Sequence, residues 1–204
     1  LLDRWGKSDP KAMQESIDAI KSETDNMKLL VEQLLFLARG DNDTMILRMK
    51  RFDVKPLAEQ VLQEMKMIDG GHEYGAQCSA AFVEADEALL KQALRILTDN
   101  AVKYTPSGGS IRISTGVRDG KVFLTVRDDG IGIPPEAVPR VFDRFFRTDE
   151  SRARATGGSG LGLSIAKWIA ERHGGGMEVL SREEIGTRVS IVLPPAGEKE
   201  EPET

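Results

Sequence analysis

Two glycine-rich elements lie close together in this chain. One is Asp128-Asp129-Gly130-Ile131-Gly132-Ile133-Pro134, and the other, beyond a run of arginines, is Gly158-Ser159-Gly160-Leu161-Gly162-Leu163. Upstream, Asp99-Asn100-Ala101-Val102-Lys103-Tyr104 falls in a helical pattern. Each segment offers a different contact. The Asn100 carbonyl is a hard oxygen ligand, suited to a magnesium ion that keeps several waters and binds mainly through phosphates. Lys103 is a mobile cation on the same helix flank, within reach of those phosphates. Asp128 ends a predicted strand, where its carboxylate can accept from the exocyclic amino group of adenine; guanine presents an oxygen there. Gly130 and Gly132 let backbone approach a ring without a Cβ in the way. Gly158, Gly160 and Gly162 open a helix whose free N–H groups attract anions. Taken singly, these are a wet helix face, an acidic turn and a glycine linker. Three in this order and at these separations form a specific signal: a carboxylate for a base, an amide for a metal and bare backbone for phosphates.

The segment from Phe142 to Gly158 carries few helix or strand signals. Its arginines, threonine, serine and glycines predict a mobile lid over a ligand, anchored by Phe145 and Phe146. Arg144 and Arg147 are candidate phosphate contacts, because guanidinium forks match phosphate oxygens. Arg140, Arg152 and Arg154 complete a basic cluster for which phosphate is the better explanation than nucleic acid, since the formal net charge is −5.

The elements that must hold these residues follow from hydrophobic period. Strands are predicted over Met49–Val54, Tyr74–Ser79 and Ala81–Glu84, and a helix over Pro56–Ile68. Asp86 caps a helix running to Tyr104, with Leu90, Leu94, Leu97, Ala101 and Tyr104 on its core face. Ser110–Val117 and Lys121–Arg127 alternate around Arg118-Asp119-Gly120, a hairpin signal. A helix from Leu161 to His173 precedes a second hairpin, Met177–Ser181 with Thr187–Leu193. Strands and helices mix without strict βαβ alternation, which predicts an α+β fold, a two-layer α/β sandwich rather than a doubly wound sheet.

Residues 10–39 read as one long helix opened by Ser8-Asp9-Pro10. Met13, Ile17, Ile20, Thr24, Met27, Val31 and Leu34 recur in steps of four and three, a heptad seam with one polar member. Leu30, Leu35 and Leu37 widen the stripe, as a four-helix bundle requires. Gly40 and Asp41-Asn42-Asp43 form a linker. The domain plan is a partial bundle hairpin over 1–45, an α/β unit over 46–195 and an acidic, disordered tail over 196–204.

The 204 residues allow one large or two small domains. A single cysteine, Cys78, permits no intramolecular disulfide, and no Cys/His group has zinc spacing. The longest apolar stretch, Leu29–Ala38, is broken by Glu32 and Gln33 and is too short to cross a bilayer. The chain opens at Leu1 without methionine and reads as a fragment of a longer protein.

These segments resemble the asparagine box, first glycine box, phenylalanine box (Val141-Phe142-Asp143-Arg144-Phe145-Phe146-Arg147) and second glycine box of the sensor histidine kinases of two-component signalling. The resemblance covers residues 46–194. It implies a Bergerat-type ATP-binding fold with a mixed sheet and about three helices, and a long helix that is the second of a dimerisation hairpin. It further implies ATP and Mg2+ as cofactors, with catalysis by Asn100 and Lys103 and the metal on Asn100. Nucleotide contacts are implied for Asn100, Lys103, Tyr104, Asp128, Gly130, Gly132, Ile133, Arg144, Arg147, Gly158, Gly160, Leu161, Gly162, Leu163 and Thr187. Implied partners are a response regulator receiver domain and, in the intact protein, a second copy forming a homodimer; neither nucleic acid nor a membrane segment in this fragment is implied. The fragment is then the cytoplasmic portion of a membrane-anchored protein.

The family carries a further asparagine four residues before Asn100, where this chain has Ile96. Related ATPases of the topoisomerase, chaperone and mismatch-repair kind carry a catalytic glutamate shortly before the asparagine, where this chain has Thr98 and Asp99. A serine kinase acting on an anti-sigma partner would lack the long helix. A degenerate nucleotide sensor is the non-enzymatic alternative. The family's phosphoacceptor is followed by Glu or Asp and then arginine-threonine-proline; His72 is followed by Glu73 but then by Tyr74, and His173 by Gly174, so both read as structural. His173 is expected to cap a helix C-terminus as a cation.

Overall fold

A computed structural model describes residues 10–41, 45–148 and 159–197. The expectations placed on residues 1–9, the Ser8-Asp9 helix opening among them, and on Asn42 and Asp43, Arg152, Arg154, Gly158, most of the lid's second half and most of the acidic tail lie outside the described residues.

Helix α1 spans Pro10–Asp41. Strand β1 (Lys50–Asp53) leads directly into α2 (Val54–Ile68), because the Asp53 carboxylate accepts the Lys55 N–H at 3.0 Å and caps the helix. That cap starts α2 two residues before the predicted Pro56. Strands β2 (Glu73–Cys78) and β3 (Phe82–Ala85) precede α3 (Glu87–Tyr104), whose N-cap Asp86 accepts from Ala88 and Leu89. Strands β4 (Ser110–Arg118) and β5 (Lys121–Asp128) form the first hairpin. A short 3-10 turn at Val138–Arg140 follows, then α4 (Gly162–Arg172), β6 (Gly176–Arg182) and β7 (Gly186–Leu193).

β2, β4, β5, β7 and β6 make one five-stranded sheet in that order, and β1 pairs with β3 in a separate ribbon. β2 runs parallel to β4 and the remaining neighbours are antiparallel, so the sheet is mixed as expected. α2, α3 and α4 cover one face. Ile111, Ile113, Leu124 and Ile191 from the sheet and Leu90, Leu94, Ile165 and Ile169 from the helices are fully buried between the layers. The alternating residues Arg112, Arg127 and Arg188 are exposed on the other face.

Tyr104 departs from its predicted place on the α3 core face. The helix ends there, and its ring is 39% exposed. The last turn of an amphipathic helix overhangs the core edge, so periodicity overstates burial at that position. His173 is buried, its Nδ1–H donates to the Ile169 carbonyl, and its Nε2 accepts the Asp86 N–H at 2.9 Å. Standing at the C-cap of α4, this ring also ties α4 to the cap of α3. Ala196 still belongs to the fold, donating its N–H to the Phe82 carbonyl.

The stripe on α1 divides into two faces. Met13, Ile20, Met27, Val31 and Leu34 of the heptad seam are exposed, while Leu37 is buried. On the docking face, Phe36 meets Trp168 of α4 edge-on, with centroids 5.1 Å apart at 83°. Gly40 is needed at this crossing, because a Cβ there would run into the indole.

Candidate nucleotide-binding site

A cavity of about 370 Å³ opens between α3, the chain after β5, the start of α4 and the flank of α1. Val126 and Val189, paired across β5 and β7, contribute to its lining. The two-residue period of β5 puts Asp128 on the same face as Leu124 and Val126, at the strand end where the helical layer stops. Burial holds the Asp128 carboxyl above the usual carboxylate range, against the opposing pull of the Gly130 and Thr187 N–H groups. Both groups donate to Oδ1, at 3.0 and 3.1 Å. Among the described residues no donor meets Oδ2. The carboxylate is therefore oriented by backbone on one oxygen and keeps acceptor capacity on the other. Asp129 is exposed and accepts the Ser110 N–H at 2.7 Å, tacking the glycine turn to β4.

Asn100 and Lys103 line the cavity, as their shared flank of α3 predicts, and Tyr104, displaced from the core face, lines it too. The Lys103 ammonium lies 5.1 Å from the Tyr104 ring centroid. Ile96 and Asp99 join them, and burial raises the Asp99 carboxyl above its ordinary value while Arg95 opposes it. Ile96 also packs beside Gly162, where a Cβ would sit 3.2 Å from its Cγ2. The position that carries an asparagine in the resembling family is here partly spent on α3–α4 packing.

The glycines answer to the chain itself as much as to any ligand. Gly132 has φ +69°, and a Cβ on it would strike the Arg182 carbonyl; one on Gly130 would strike the Tyr104 carbonyl. At these two positions the turn packs closely on α3 and on the β6–β7 hairpin, which by itself requires glycine. Gly132 and Ile133 line the cavity; Gly130 is buried behind it. Ser181, which carries no sequence signal, gathers this corner. It accepts the Ile133 N–H at 2.8 Å, donates to the Gly186 carbonyl and meets the Thr187 hydroxyl at 2.8 Å.

Gly160, Gly162 and Leu163 line the end of the cavity at the start of α4, whereas Leu161 is fully buried as the helix N-cap. The phenylalanine box reaches this end directly. Phe145, at φ +62°, donates its N–H to the Gly160 carbonyl at 3.0 Å. Phe146 lines the cavity with Arg140 stacked at 4.5 Å, while the Phe145 ring is 58% exposed. One of the two expected anchors thus points inward. Arg147 is at the cavity; Arg144 is exposed and outside its lining.

Helix α1 supplies a wall that periodicity did not foretell. Asn26, Leu29 and Gln33 face the cavity, and the Gln33 side chain accepts a short hydrogen bond from Ser159 of the second glycine element. A heptad pattern says which residues are apolar, not which polar residue on the opposite flank meets a distant loop.

His72 lies away from the cavity. Its Nδ1 meets the Asp69 carboxylate at 2.8 Å and its Nε2 meets the Thr105 carbonyl at 2.9 Å. The Thr105 carbonyl, with Asp69 assisting against the cost of burial, raises the imidazole above its ordinary value. Tyr74 donates to the same Asp69 oxygen.

The mixed sheet under three helices and the cavity at its edge define an ATP-binding domain, and comparison places it. The sequence profile of the histidine kinase-, DNA gyrase B- and HSP90-like ATPases matches residues 85–197, and the chain belongs to that family. It is 44% identical to the sensor histidine kinase YkoH of Bacillus subtilis (strain 168) over 94% of this chain, and spans 42% of the length of that relative. Full-length ShkA solved in complex with AMPPNP superposes with a TM-score of 0.77 at 29% identity, over 90% of this chain and 39% of ShkA. Histidine kinase ThkA in complex with response regulator protein TrrA gives 0.73 at 26%, over 94% of this chain and 54% of ThkA. No helix among the described residues is long and apolar enough to cross a membrane.

Proposed function

We propose that this chain is the ATP-binding catalytic region of a sensor histidine kinase. It holds Mg-ATP so that an imidazole nitrogen of a histidine outside this chain attacks the γ-phosphorus as the bridging oxygen leaves with ADP. The phosphoryl group then passes to an aspartate of a response regulator receiver domain. The observation that carries the reading is the Asp128 carboxylate, fixed through Oδ1 and set in one cavity with Asn100, Lys103 and the opening of α4.

Adenine binds against Asp128 and Thr187, and the phosphates run past Lys103 and Arg147 toward Gly160 and Gly162. The donor set suits magnesium: Asn100 offers one amide oxygen, and the phosphates and water supply the rest. When bound, the ion neutralises charge developing on the β- and γ-oxygens. The contribution of this chain is positioning and charge complementarity. The exposed heptad seam of α1 supports a bundle formed by two copies of the hairpin, in the cytoplasmic part of a membrane-anchored protein.

Two measurements test the reading. Calorimetry should show ATP binding with magnesium and much weaker GTP binding; equal affinities overturn the adenine assignment. Radiolabelled ATP should label a separately supplied dimerisation hairpin that carries the family's phosphoacceptor histidine. Binding without any transfer would favour a nucleotide-sensing module, the reading that Ile96 supports.

A further inference from the structure

The sheet face turned away from the helices carries a charge arrangement that the nucleotide cavity does not use. Strand register sets Arg112 of β4 opposite Arg127 of β5, and Arg127 opposite Arg188 of β7. All three are exposed. With strands about 4.8 Å apart, the row is about 10 Å long. Like charges directly opposite one another destabilise a sheet. Among the described residues no carboxylate forms an ion pair with any of the three. Of the acids near this face, Glu178 and Asp119 pair with Arg118 at 3.7 and 3.8 Å, Asp129 accepts the Ser110 N–H, and Glu73 lies on the β2 edge.

Beside the arginine row lies a polar floor. Gln77, Ser114, Thr125 and Ser190 stand opposite one another across four strands, with the Thr125 and Ser190 hydroxyls 2.8 Å apart. They line a shallow groove of about 320 Å³. Arg188 borders it on one side. Arg118 borders it on the other, its guanidinium 4.3 Å from the Phe123 ring centroid. Arg112 and Arg118 are six residues apart on β4, about 20 Å in an extended strand.

We propose that this face is a docking surface for an extended acidic polypeptide segment of a partner protein. Its carboxylates meet the arginine row, and its peptide groups and polar side chains bond to the hydroxyl and amide floor beside it. Charge complementarity selects the class. A row of like charges that is unfavourable in isolation becomes favourable when carboxylates bridge it, and each guanidinium fork can donate two parallel hydrogen bonds to one carboxylate. Nucleic acid fits less well: the chain has net charge −5, the cations sit at the groove's ends, and Arg118 already covers the Phe123 ring that a base would stack on. A lipid surface calls for an apolar insertion beside the charge, and this floor is polar. The inference stands apart from what the cavity on the other side of the sheet does.

The test is an anisotropy titration of a fluorescein-labelled peptide of eight glutamates, at low ionic strength and with AMPPNP present to occupy the cavity. The parent chain should bind with saturation. A triple R112Q/R127Q/R188Q variant should bind at least tenfold more weakly, with a melting temperature equal to or above the parent's because the like-charge opposition is gone. Ser114→Leu, which fills the floor without changing charge, should also weaken binding, whereas K55Q/K66Q, which removes two positive charges from α2 on the opposite side of the sheet, should not. The proposal is overturned if the parent does not bind, or if the triple variant or Ser114→Leu binds as the parent does. Tighter, row-dependent binding of duplex DNA or of phosphatidylglycerol vesicles overturns it in favour of those partners.

Discussion

Asp128 presents its two oxygens to different surroundings. Oδ1 takes the Gly130 and Thr187 N–H groups, and the cost of burying the carboxylate is only partly met by those two bonds. Asp128→Ala removes an acceptor of charged character, worth about 1.5–3 kcal/mol, so ATP affinity should fall roughly ten- to hundredfold by calorimetry. His72 makes a separate case, argued through pH. Both ring nitrogens face acceptors, Asp69 and the Thr105 carbonyl, so the protonated form is favoured and its folded pKa lies above the unfolded value. The stability this contributes is fully present below about pH 6.5 and is lost as pH rises through the raised folded value. Thermal melts of the parent should therefore show a midpoint that declines above that range, and His72→Gln should flatten the decline. An unchanged slope in the variant assigns the pH dependence elsewhere.

Among the elements, α1 and the phenylalanine box both touch the second glycine element, from opposite sides. α1 is held by Phe36 on Trp168, by Gly40 under the indole and by Gln33 on Ser159. An edge-to-face aromatic pair contributes about 0.5–1.5 kcal/mol beyond its area. Phe36→Leu should thus raise hydrogen exchange in the C-terminal half of α1 by roughly two- to tenfold, with exchange in β4 and β5 unchanged. Phe145 is tied to Gly160 through its backbone N–H while its side chain stays exposed. A non-hydrolysable ATP analogue should slow exchange across Val141–Thr148. Protection that is already full without nucleotide would count against a closing lid.

For the whole molecule the arrangement of the histidines matters most. A phosphoacceptor must be brought in line with the γ-phosphorus. His173 is locked between Ile169 and the Asp86 N–H, and His72 between Asp69 and Thr105, neither of them lining the cavity. Incubation with radiolabelled ATP and magnesium should leave this chain without base-stable, acid-labile label. Label that appears in the parent and vanishes in His72→Ala would reverse the structural reading of that residue.

The sequence by itself determined the strands, the helices and the order of the boxes, because strand period, helix period and the capping residues Asp53 and Asp86 are local properties. Asn100, Lys103 and Asp128 were legible for the same reason: each stands at a defined place in an element whose ends are marked. Only the tertiary structure decided that Gly130 and Gly132 yield to the Tyr104 and Arg182 carbonyls, that Ser181 gathers the glycine turn, and that Gln33 meets Ser159 from far along the chain. Strand order also set Arg112, Arg127 and Arg188 side by side. These are contacts between segments remote in sequence, fixed by how the layers pack, and no local period or propensity carries that information.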